Sequence, residues 1–565
     1  MSAQDTMRGR ATPRGPSAAP ELARPARHHA LPATVPARRS RARSGLALAG
    51  VLAFAALVLG VPAGRTPVWD PNEARFLLLA RDILEHGRWL LPDLRGEAYV
   101  NKPQLFFWSV AVASIPGGDV TARSGAVPAV LSSLAMVAAV YVIGSRAWGL
   151  GTGAVAGLAL ASTAGFFLTG HHAQADVMVG AWTWWGLSFL FQARREDFAR
   201  APLGGFYACV ALAILSKGPM GLIGLAGGIA AIAAVDGWSA MRRLRPLLGL
   251  VIMALLLSPW YGPYLLAHRS EFVGGTVVGH YGSWVFRRGV LTRLESLWVL
   301  AYGLPWTLFL AGAVLWWRRT SDPERRAIAV ATAVIWALIG FSGIHRPRYL
   351  IPIYPGLALL AAEFVTRAAA RGGARLLRGA AYAVAGGAAM LALFVASPLP
   401  RLIDREGQPY VPDTSGEVVL VVALLLGAGA AVLVAARRSA FTAAGLIVTL
   451  GTGAVLVVEG ARYPTRFAQL FDVRPVAAAA AALTPPGAAV PVYPDIWLSY
   501  DFYMRRPVAE IDHTALEQLL SGPARGAVVT TRKAWAAFAS RAHPSWRVVA
   551  SHRAGHRQMV VLGGE

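Results

Sequence analysis

The sequence predicts a mainly α-helical, polytopic membrane protein that carries a small α/β domain outside the membrane. Of its 565 residues, 55% are hydrophobic and only 15% are charged, whereas about 25% are charged in soluble domains. Its 54 basic and 30 acidic residues nevertheless give a net charge of +24. A nucleic-acid-binding protein would be basic but less apolar, and a disordered chain would be polar. Long apolar stretches separated by cationic loops explain both properties, and no nucleic-acid partner is expected.

The N-terminal segment, residues 1–43, is rich in Arg, Pro, Ala and Ser and has no apolar period, which predicts a disordered, basic cytoplasmic tail. A transmembrane domain is predicted over residues 44–460. Its first apolar stretch is longer than that of a typical signal peptide and therefore indicates a signal anchor. About 13 stretches are long enough to cross about 30 Å of hydrocarbon. They are residues 44–62, 122–144, 149–169, 177–191, 203–215, 219–235, 247–266, 296–317, 327–341, 349–364, 379–395, 418–435 and 441–458.

Basic residues in the loops orient this arrangement. With the N-terminus in the cytoplasm, every predicted inner loop is basic, as Arg194-Arg195 and Arg437-Arg438 illustrate. Short cytoplasmic loops of membrane proteins carry such an excess of Arg and Lys. An odd number of spans then places the C-terminus outside. The sequence therefore predicts a multi-pass protein of the inner (plasma) membrane with an extracytoplasmic C-terminal domain.

Two external loops, residues 64–121 and 267–295, are too long to be simple turns. Residues 64–121 form the first external loop, with a predicted juxtamembrane helix over 73–86. An apolar piece over 105–115 is too short to span and is expected to lie along the membrane surface. Beyond residue 460 the composition changes, and residues 461–565 are predicted to form the small α/β domain. Its predicted strands are residues 488–493, 526–531, 546–550 and 558–562, with a helix over 514–520.

Three carboxylates at the predicted outer interface are candidate catalytic groups. Asp70 and Glu73 stand at the start of the predicted juxtamembrane helix, where lipid and protein partly desolvate them. A carboxylate there can act as a general base toward an acceptor hydroxyl. Asp70 also suits a helix N-cap, with Glu73 at a capping-box spacing, and this structural role is an alternative. Asp176 stands at the start of a predicted span and has no basic residue next to it in the sequence. A carboxylate there is costly, so we interpret it as a functional residue, with a helix cap at the interface as the alternative.

Cations on the outer side are exceptions to the charge pattern. Only three basic residues are lysines, and two of them, Lys102 and Lys217, fall outside. An anionic phosphate at the outer interface would explain them, because it needs charge-assisted hydrogen bonds. Contact with lipid headgroups is the alternative for any one of them. Further candidates on the same side are Arg75, Arg346, Arg348 and Tyr349.

These motifs, in this order, resemble the membrane glycosyltransferases that use polyprenyl-phosphate sugars. This group includes the lipid A aminoarabinose transferases and the protein mannosyltransferases of glycosyltransferase family 39. The resemblance covers most of the chain, including the span count and the external α/β tail. It rests on the acidic motif, Asp176, Lys102-Pro103, Lys217-Gly218-Pro219 and Arg348-Tyr349-x-x-Pro352-x-Tyr354-Pro355. One position departs from the family, which reads Asp-Glu where this chain reads Asn72-Glu73, and an Asn side chain cannot act as a base.

The resemblance implies a GT-C architecture and an inverting glycosyltransferase. A hexose or pentose would pass from a polyprenyl-phosphate donor to a lipid, glycan or protein acceptor on the outer face. Glu73, Asp70 or Asp176 would orient or deprotonate the acceptor. The donor phosphate would be held by Arg75, Lys102, Lys217, Arg346, Arg348 and Tyr349.

The resemblance also assigns a covering role to the loop over residues 267–295, where His280 and Tyr281 would contact donor or acceptor together with Asn72. In related enzymes a His of this loop binds a divalent metal with an acidic residue, but that partner is Asn101 here. We therefore expect no required cofactor, with His280 as a possible metal ligand. Two other interpretations stay open: a membrane transporter or lipid flippase, and a catalytically silent GT-C scaffold.

Overall fold

A computed structural model describes residues 36–68, 72–271, 273–274, 294–341, 347–399, 415–494, 497–554 and 557–564. Residues Leu46–Glu565 pack as one compact unit. Four predicted site residues, Asp70, His280, Tyr281 and Arg346, lie outside the described residues. Most of the predicted N-terminal tail also lies outside them. The first helix begins at Pro36, seven residues before the predicted end of that tail. Proline suits the first turn of a helix, and the Arg and Ala residues that follow favour helix.

The described chain is mainly helical, as predicted. Most predicted spans coincide with one helix, and two coincide with pairs of helices that meet at a bend. The helices are α1 (Pro36–Gly60), α2 (Asn72–His86), α3 (Leu105–Ser114), α4 (Ala122–Trp148), α5 (Leu150–Ala161), α6 (Ala164–Gly170), α7 (Ala175–Arg195), α8 (Arg200–Lys217), α9 (Ile223–Asp236), α10 (Pro246–Ala267), α11 (Arg269–Glu271), α12 (Val299–Tyr302), α13 (Leu310–Trp317), α14 (Pro323–Phe341), α15 (Tyr354–Arg367), α16 (Ala374–Ala396), α17 (Ser415–Arg437), α18 (Phe441–Phe471), α19 (Arg474–Leu483), α20 (Leu498–Met504), α21 (His513–Ser521) and α22 (Arg532–Phe538).

Length and apolar composition identify fewer independent spans than the sequence suggested. Within the described ranges, seven helical segments are long and apolar enough to cross a membrane, or up to nine if each of two bent pairs is one span. The pairs are α5 with α6, bent by 63°, and the two segments of residues 294–317, bent by 98°. Helices α8 and α9 count as one segment, Arg200–Asp236, although the predictions placed two spans there. The chain is polytopic, and the count of 13 stays a prediction.

The first external loop folds against the membrane domain as a small layer of its own. Helix α2 starts at Asn72, one residue before the predicted start, and packs on α3 through Phe76, whose ring centroid lies 5.6 Å from Phe106 and 5.4 Å from Phe107. Between them lies a short antiparallel hairpin, β1 (Asp93–Leu94) and β2 (Glu97–Ala98). Trp260 and Tyr264 of α10 donate hydrogen bonds to backbone carbonyl groups of this loop, each at 2.9 Å.

The C-terminal segment forms a five-stranded sheet with helices around it. The strands are β3 (Val490–Val492), β4 (Val508–Glu510), β5 (Ala527–Thr531), β6 (Arg547–Ala554) and β7 (Arg557–Gly563), in the order β4-β3-β5-β7-β6. Strand β3 pairs in parallel with β4 and β5, and β7 pairs antiparallel with β5 and β6. The four predicted strands and the helix over 514–520 are confirmed. Strand β4 was not predicted, because three residues are too few to show a strand period.

Candidate active site

Glu73 lies at the N-terminal end of α2, in the first helical turn, and is 8% exposed. Its Oε1 atom accepts a hydrogen bond from the Ala173 amide at 3.3 Å and lies 3.8 Å from Nδ1 of His172. An acidic side chain is electrostatically favourable here, at the positive end of the α2 dipole. Glu73 is therefore a buried carboxylate that the chain segment before α7 holds in place.

Asp176 occupies a different position, in the first turn of α7, and is 1% exposed. It forms an ion pair with the buried Lys217 at the end of α8, and its Oδ2 atom lies 3.8 Å from Nε of Arg348. Lys217 Nζ lies 4.0 Å from the centroid of the Tyr349 ring, and the Arg348 guanidinium lies 5.1 Å from it. Such cation–π contacts help to retain cations in a partly desolvated place. Lys217, Arg348 and Tyr349 thus meet around Asp176, as their common assignment to the outer side predicted.

Lys102 joins this cluster from the external loop, in the turn before α3, and is 8% exposed. Burial above all, and then the neighbouring charges of Lys217, Arg75 and Arg348, lower the pKa of its ammonium group to about 7, although Asp176 acts in the opposite direction. Arg75, on α2, donates a side-chain hydrogen bond to Tyr99, the tyrosine of the turn before Lys102. We name Arg75, Lys102, Lys217, Arg348, Tyr349 and Asp176 the cation cluster.

The cation cluster carries an excess of positive charge in a space with little water. Its single described carboxylate, Asp176, faces four basic side chains. A buried charge without a partner is costly, so this excess needs an anion. A phosphate group offers several oxygens to such donors, and Arg and Lys both bind it well.

An apolar groove of about 850 Å³ lies between α3, α4, α7 and α8, and two of these helices, α7 and α8, also carry Asp176 and Lys217 of the cation cluster. Met178, which lines it, is two residues after Asp176, and Trp108 lines it from α3. The rest of the groove is formed by α4, α7 and α8, with Leu131, Trp182 and Phe189 among its lining residues. The apolar lining and size of this groove suit a hydrocarbon chain.

The C-terminal domain holds the external loop through three consecutive residues of α20. Asp501 receives two hydrogen bonds from Arg95, at 3.2 and 2.5 Å, and the Phe502 carbonyl accepts one from Arg81 at 2.8 Å. The Tyr503 hydroxyl accepts a hydrogen bond from the Val68 amide at 2.7 Å, four residues before α2. These contacts fix the segment that leads into Glu73.

The structure separates the predicted site residues into two neighbouring groups. Glu73 and Asn72, which is also buried, lie at the start of α2, while the cation cluster collects the remaining described candidates. The described residues contain no group of three or more His, Cys, Asp or Glu side chains suited to a metal ion. His172, Tyr99 and Tyr503 were not assigned to the site from the sequence. Two adjacent histidines, His171 and His172, just before α7 are the sequence feature that could have pointed to His172. Only the tertiary packing shows that His172 meets the carboxylate of Glu73.

Comparison with known proteins gives the architecture. Residues 101–262 match the family model described as dolichyl-phosphate-mannose-protein mannosyltransferase. The fold also matches the crystal structure of ArnT from Cupriavidus metallidurans, with a TM-score of 0.72 and 20% identity over 93% of this chain and 98% of that one. The chain has the GT-C fold. The resemblance to polyprenyl-phosphate-dependent membrane glycosyltransferases is thereby confirmed.

Relatives in sequence carry one recurrent name, undecaprenyl phosphate-alpha-4-amino-4-deoxy-L-arabinose arabinosyl transferase. The protein of that name from Serratia proteamaculans is 26% identical over 337 residues, which are 55% of this chain and 58% of the relative. The one from Yersinia enterocolitica is 26% identical over 352 residues, or 57% and 59% of the two chains. The matched part of this GT-C chain therefore spans less than two thirds of either relative. A second crystal structure of ArnT from Cupriavidus metallidurans, bound to undecaprenyl phosphate, matches the fold of this chain with the same TM-score of 0.72 and 20% identity.

Proposed function

We propose that this GT-C protein is a glycosyltransferase that moves a hexose or pentose from a polyprenyl-phosphate donor to a lipid, glycan or protein acceptor. One observation carries the proposal: a buried cluster with excess positive charge and an apolar groove are built on the same two helices, α7 and α8, and Glu73 supplies a further buried carboxylate at the start of α2. A polyprenyl phosphate has the matching parts, an anionic head and a long hydrocarbon tail. The names of the similar proteins, and the undecaprenyl phosphate in the Cupriavidus structure, support this donor class.

The proposed reaction is an in-line displacement at the anomeric carbon, which inverts its configuration. Glu73 accepts the proton of the acceptor hydroxyl as its oxygen attacks. The bond from the anomeric carbon to the phosphate oxygen breaks, and the phosphate leaves with the electron pair. Lys102, Lys217 and Arg348 stabilise the charge that develops on it. Asp176 keeps Lys217 and Arg348 in position, and its carboxylate oxygens are engaged by these two cations.

Asn72 replaces the Asp of the family motif and can only donate or accept a hydrogen bond. In this proposal it contacts the acceptor, and proton transfer belongs to Glu73. The reaction needs no cofactor, since the cations of the protein supply the positive charge that a metal ion would supply. Activity that survives EDTA supports this part of the proposal, and activity that needs added Mg²⁺, Mn²⁺ or Zn²⁺ contradicts it.

The direct test is sugar transfer by the purified chain in proteoliposomes of defined lipid composition. Undecaprenyl phosphate carrying a radiolabelled pentose or hexose serves as donor, and lipid A serves as the first acceptor. We expect labelled acceptor to form only with the lipid-linked donor and not with a nucleotide sugar. Movement of donor across the bilayer without transfer would favour a transporter or flippase. Absence of both, with several donors and acceptors, would favour a silent scaffold.

We further propose that the N-terminus is cytoplasmic and that the C-terminal domain lies outside the inner membrane. The arginine-rich predicted inner loops support this orientation. A reporter active only in the cytoplasm should be active when fused to the N-terminus and inactive when fused to the C-terminus. Reporters that place both termini in the cytoplasm would contradict the predicted odd number of spans.

Donor use should depend on pH through Lys102, whose pKa lies at about 7. Because this pKa is lowered, the ammonium group is charged below about pH 7 and loses its charge as the pH rises above that value. We expect kcat/KM for the donor to fall on the alkaline side by about tenfold, since a hydrogen bond to a charged group is worth about 1.5–3 kcal/mol. Arginine stays charged throughout, so Lys102→Arg should flatten this limb.

The third lysine of the chain supplies the control for that measurement. Lys533 lies exposed on α22, and Lys533→Arg should keep the wild-type pH profile. An alkaline limb that persists unchanged in Lys102→Arg would show that another group controls donor use.

A further inference from the structure

The imidazole of His172 lies beside the proposed base. Its Nδ1 atom is 3.8 Å from Oε1 of Glu73, and the ring is only partly exposed. The next residue, Ala173, donates its amide hydrogen to the same Oε1 atom at 3.3 Å. One short backbone segment therefore fixes both the carboxylate and the ring that faces it.

Among the described ion pairs, Glu73 is the carboxylate that lies within 4 Å of His172. The His171 ring lies 4.2 Å from the His172 ring, centroid to centroid, and its Nδ1 is 2.7 Å from the Phe167 carbonyl oxygen. Burial holds the pKa of His171 well below its usual value, so His171 stays neutral. Tyr463 of α18 meets the His172 ring in a T-shaped arrangement, with centroids 6.3 Å apart.

Proton transfer in this site has to carry the acceptor's proton from the buried Glu73 out to water. The carboxylate must release the acceptor's proton before the next turnover, and Asn72 cannot receive it. Asp176 is held by Lys217 and Arg348. The His172 imidazole can receive the proton, because one bridging water molecule or a small side-chain rotation would connect it to the carboxylate. Imidazole is the usual side chain for such proton transfer near neutral pH.

We propose that His172 is a positioning residue that acts through Glu73 and receives the proton that Glu73 removes from the acceptor. This inference rests on the proposed function. The acceptor O–H bond breaks as the new bond to the anomeric carbon forms, and the proton passes to Glu73 and then to Nδ1 of neutral His172. The electron pair of the broken glycosyl bond leaves on the phosphate. The imidazolium then releases its proton to water, which restores both groups.

The test is the pH profile of kcat for His172→Asn at saturating donor and acceptor. Asn keeps a polar atom near the Nδ1 position but cannot take up the proton. Wild-type kcat should fall toward acid pH, because the proposed step needs a neutral imidazole as proton acceptor. In the variant, kcat should be lower by about tenfold or more, with the donor KM unchanged within about twofold. The acid limb should disappear or move in the variant, because the imidazole that accepts the proton is absent.

His86 supplies a matched control, because it forms a second imidazole–carboxylate pair on α2, the helix that carries Glu73. Its Nδ1 lies 3.0 Å from Oδ1 of Asp82, near the other end of α2. His86→Asn should keep the wild-type kcat and acid limb.

If His172→Asn keeps kcat within twofold, or loses activity but retains the acid limb, the proton role of His172 is wrong. Wild-type protein that transfers no sugar would instead overturn the proposed function. Should His172→Asn fail to fold, as judged by gel filtration, His172→Gln replaces it in the same measurement.

Discussion

Glu73→Gln should lower kcat for sugar transfer by about 100-fold to 10,000-fold, the usual effect of removing a general base. The glutamine side chain keeps the size and the hydrogen-bonding oxygen that the Ala173 amide contacts. It cannot accept the acceptor's proton. Because the donor phosphate is bound by the cation cluster and not by Glu73, the donor KM should stay within about twofold. Steady-state kinetics with the lipid-linked donor in proteoliposomes measure both parameters.

Glu85 is the control for this substitution. It lies on the same helix and is exposed near its C-terminal end, so Glu85→Gln should keep wild-type kinetics. Transfer by Glu73→Gln at more than about a tenth of the wild-type rate would mean that Glu73 is not the base. Asp70 would then be the next candidate, since Asp176 is already paired with two cations.

Much of this site could be predicted from charge placement along the sequence. Lys102, Lys217 and Arg348 stand out because they oppose the loop charge pattern, and the structure brings them together around Asp176. Helix α2 could be predicted because its apolar residues recur at helical spacing and an acidic residue stands in its first turn. In both cases the signal is local or compositional, so it is visible without knowledge of the tertiary contacts.

The division of labour among the carboxylates could not be predicted in this way. Glu73 and Asp176 look alike in sequence, since each is an acidic residue in the first turn of a helix at the outer interface. Packing makes them different: Asp176 meets Lys217, 41 residues away, whereas Glu73 meets Ala173, 100 residues away. Such long-range pairs leave no period in the sequence. The contact of Tyr503 with Val68, across 435 residues, is hidden for the same reason.

Asp176→Asn should destabilise the protein by about 3–5 kcal/mol, the usual cost of removing one partner of a buried ion pair. Lys217, at 4% exposure, would keep its charge without the carboxylate that balances it. Undecaprenyl phosphate should offset part of this loss, because its phosphate supplies the missing negative charge to Lys217 and Arg348. We therefore expect the donor lipid to raise the melting temperature of Asp176→Asn more than that of the wild type.

A second buried ion pair distinguishes this effect from general destabilisation. Glu363 is fully buried and accepts hydrogen bonds from Arg325 at 2.7 and 2.8 Å. Glu363→Gln should cost a similar amount, but the donor lipid should stabilise it only as much as the wild type, since this pair lies outside the cation cluster. Equal stabilisation of both variants by undecaprenyl phosphate would show that the cluster does not bind the phosphate.

The double variant Asp176→Asn/Lys217→Met separates the charge balance from the catalytic role. Removing both charges should recover most of the lost stability, because no unpaired ammonium group remains buried. Transfer should nevertheless stay low, since Lys217 no longer stabilises the leaving phosphate. If the double variant recovered both stability and transfer, the Lys217–Asp176 pair would serve folding alone. The donor phosphate would then depend on Lys102, Arg348 and Arg75.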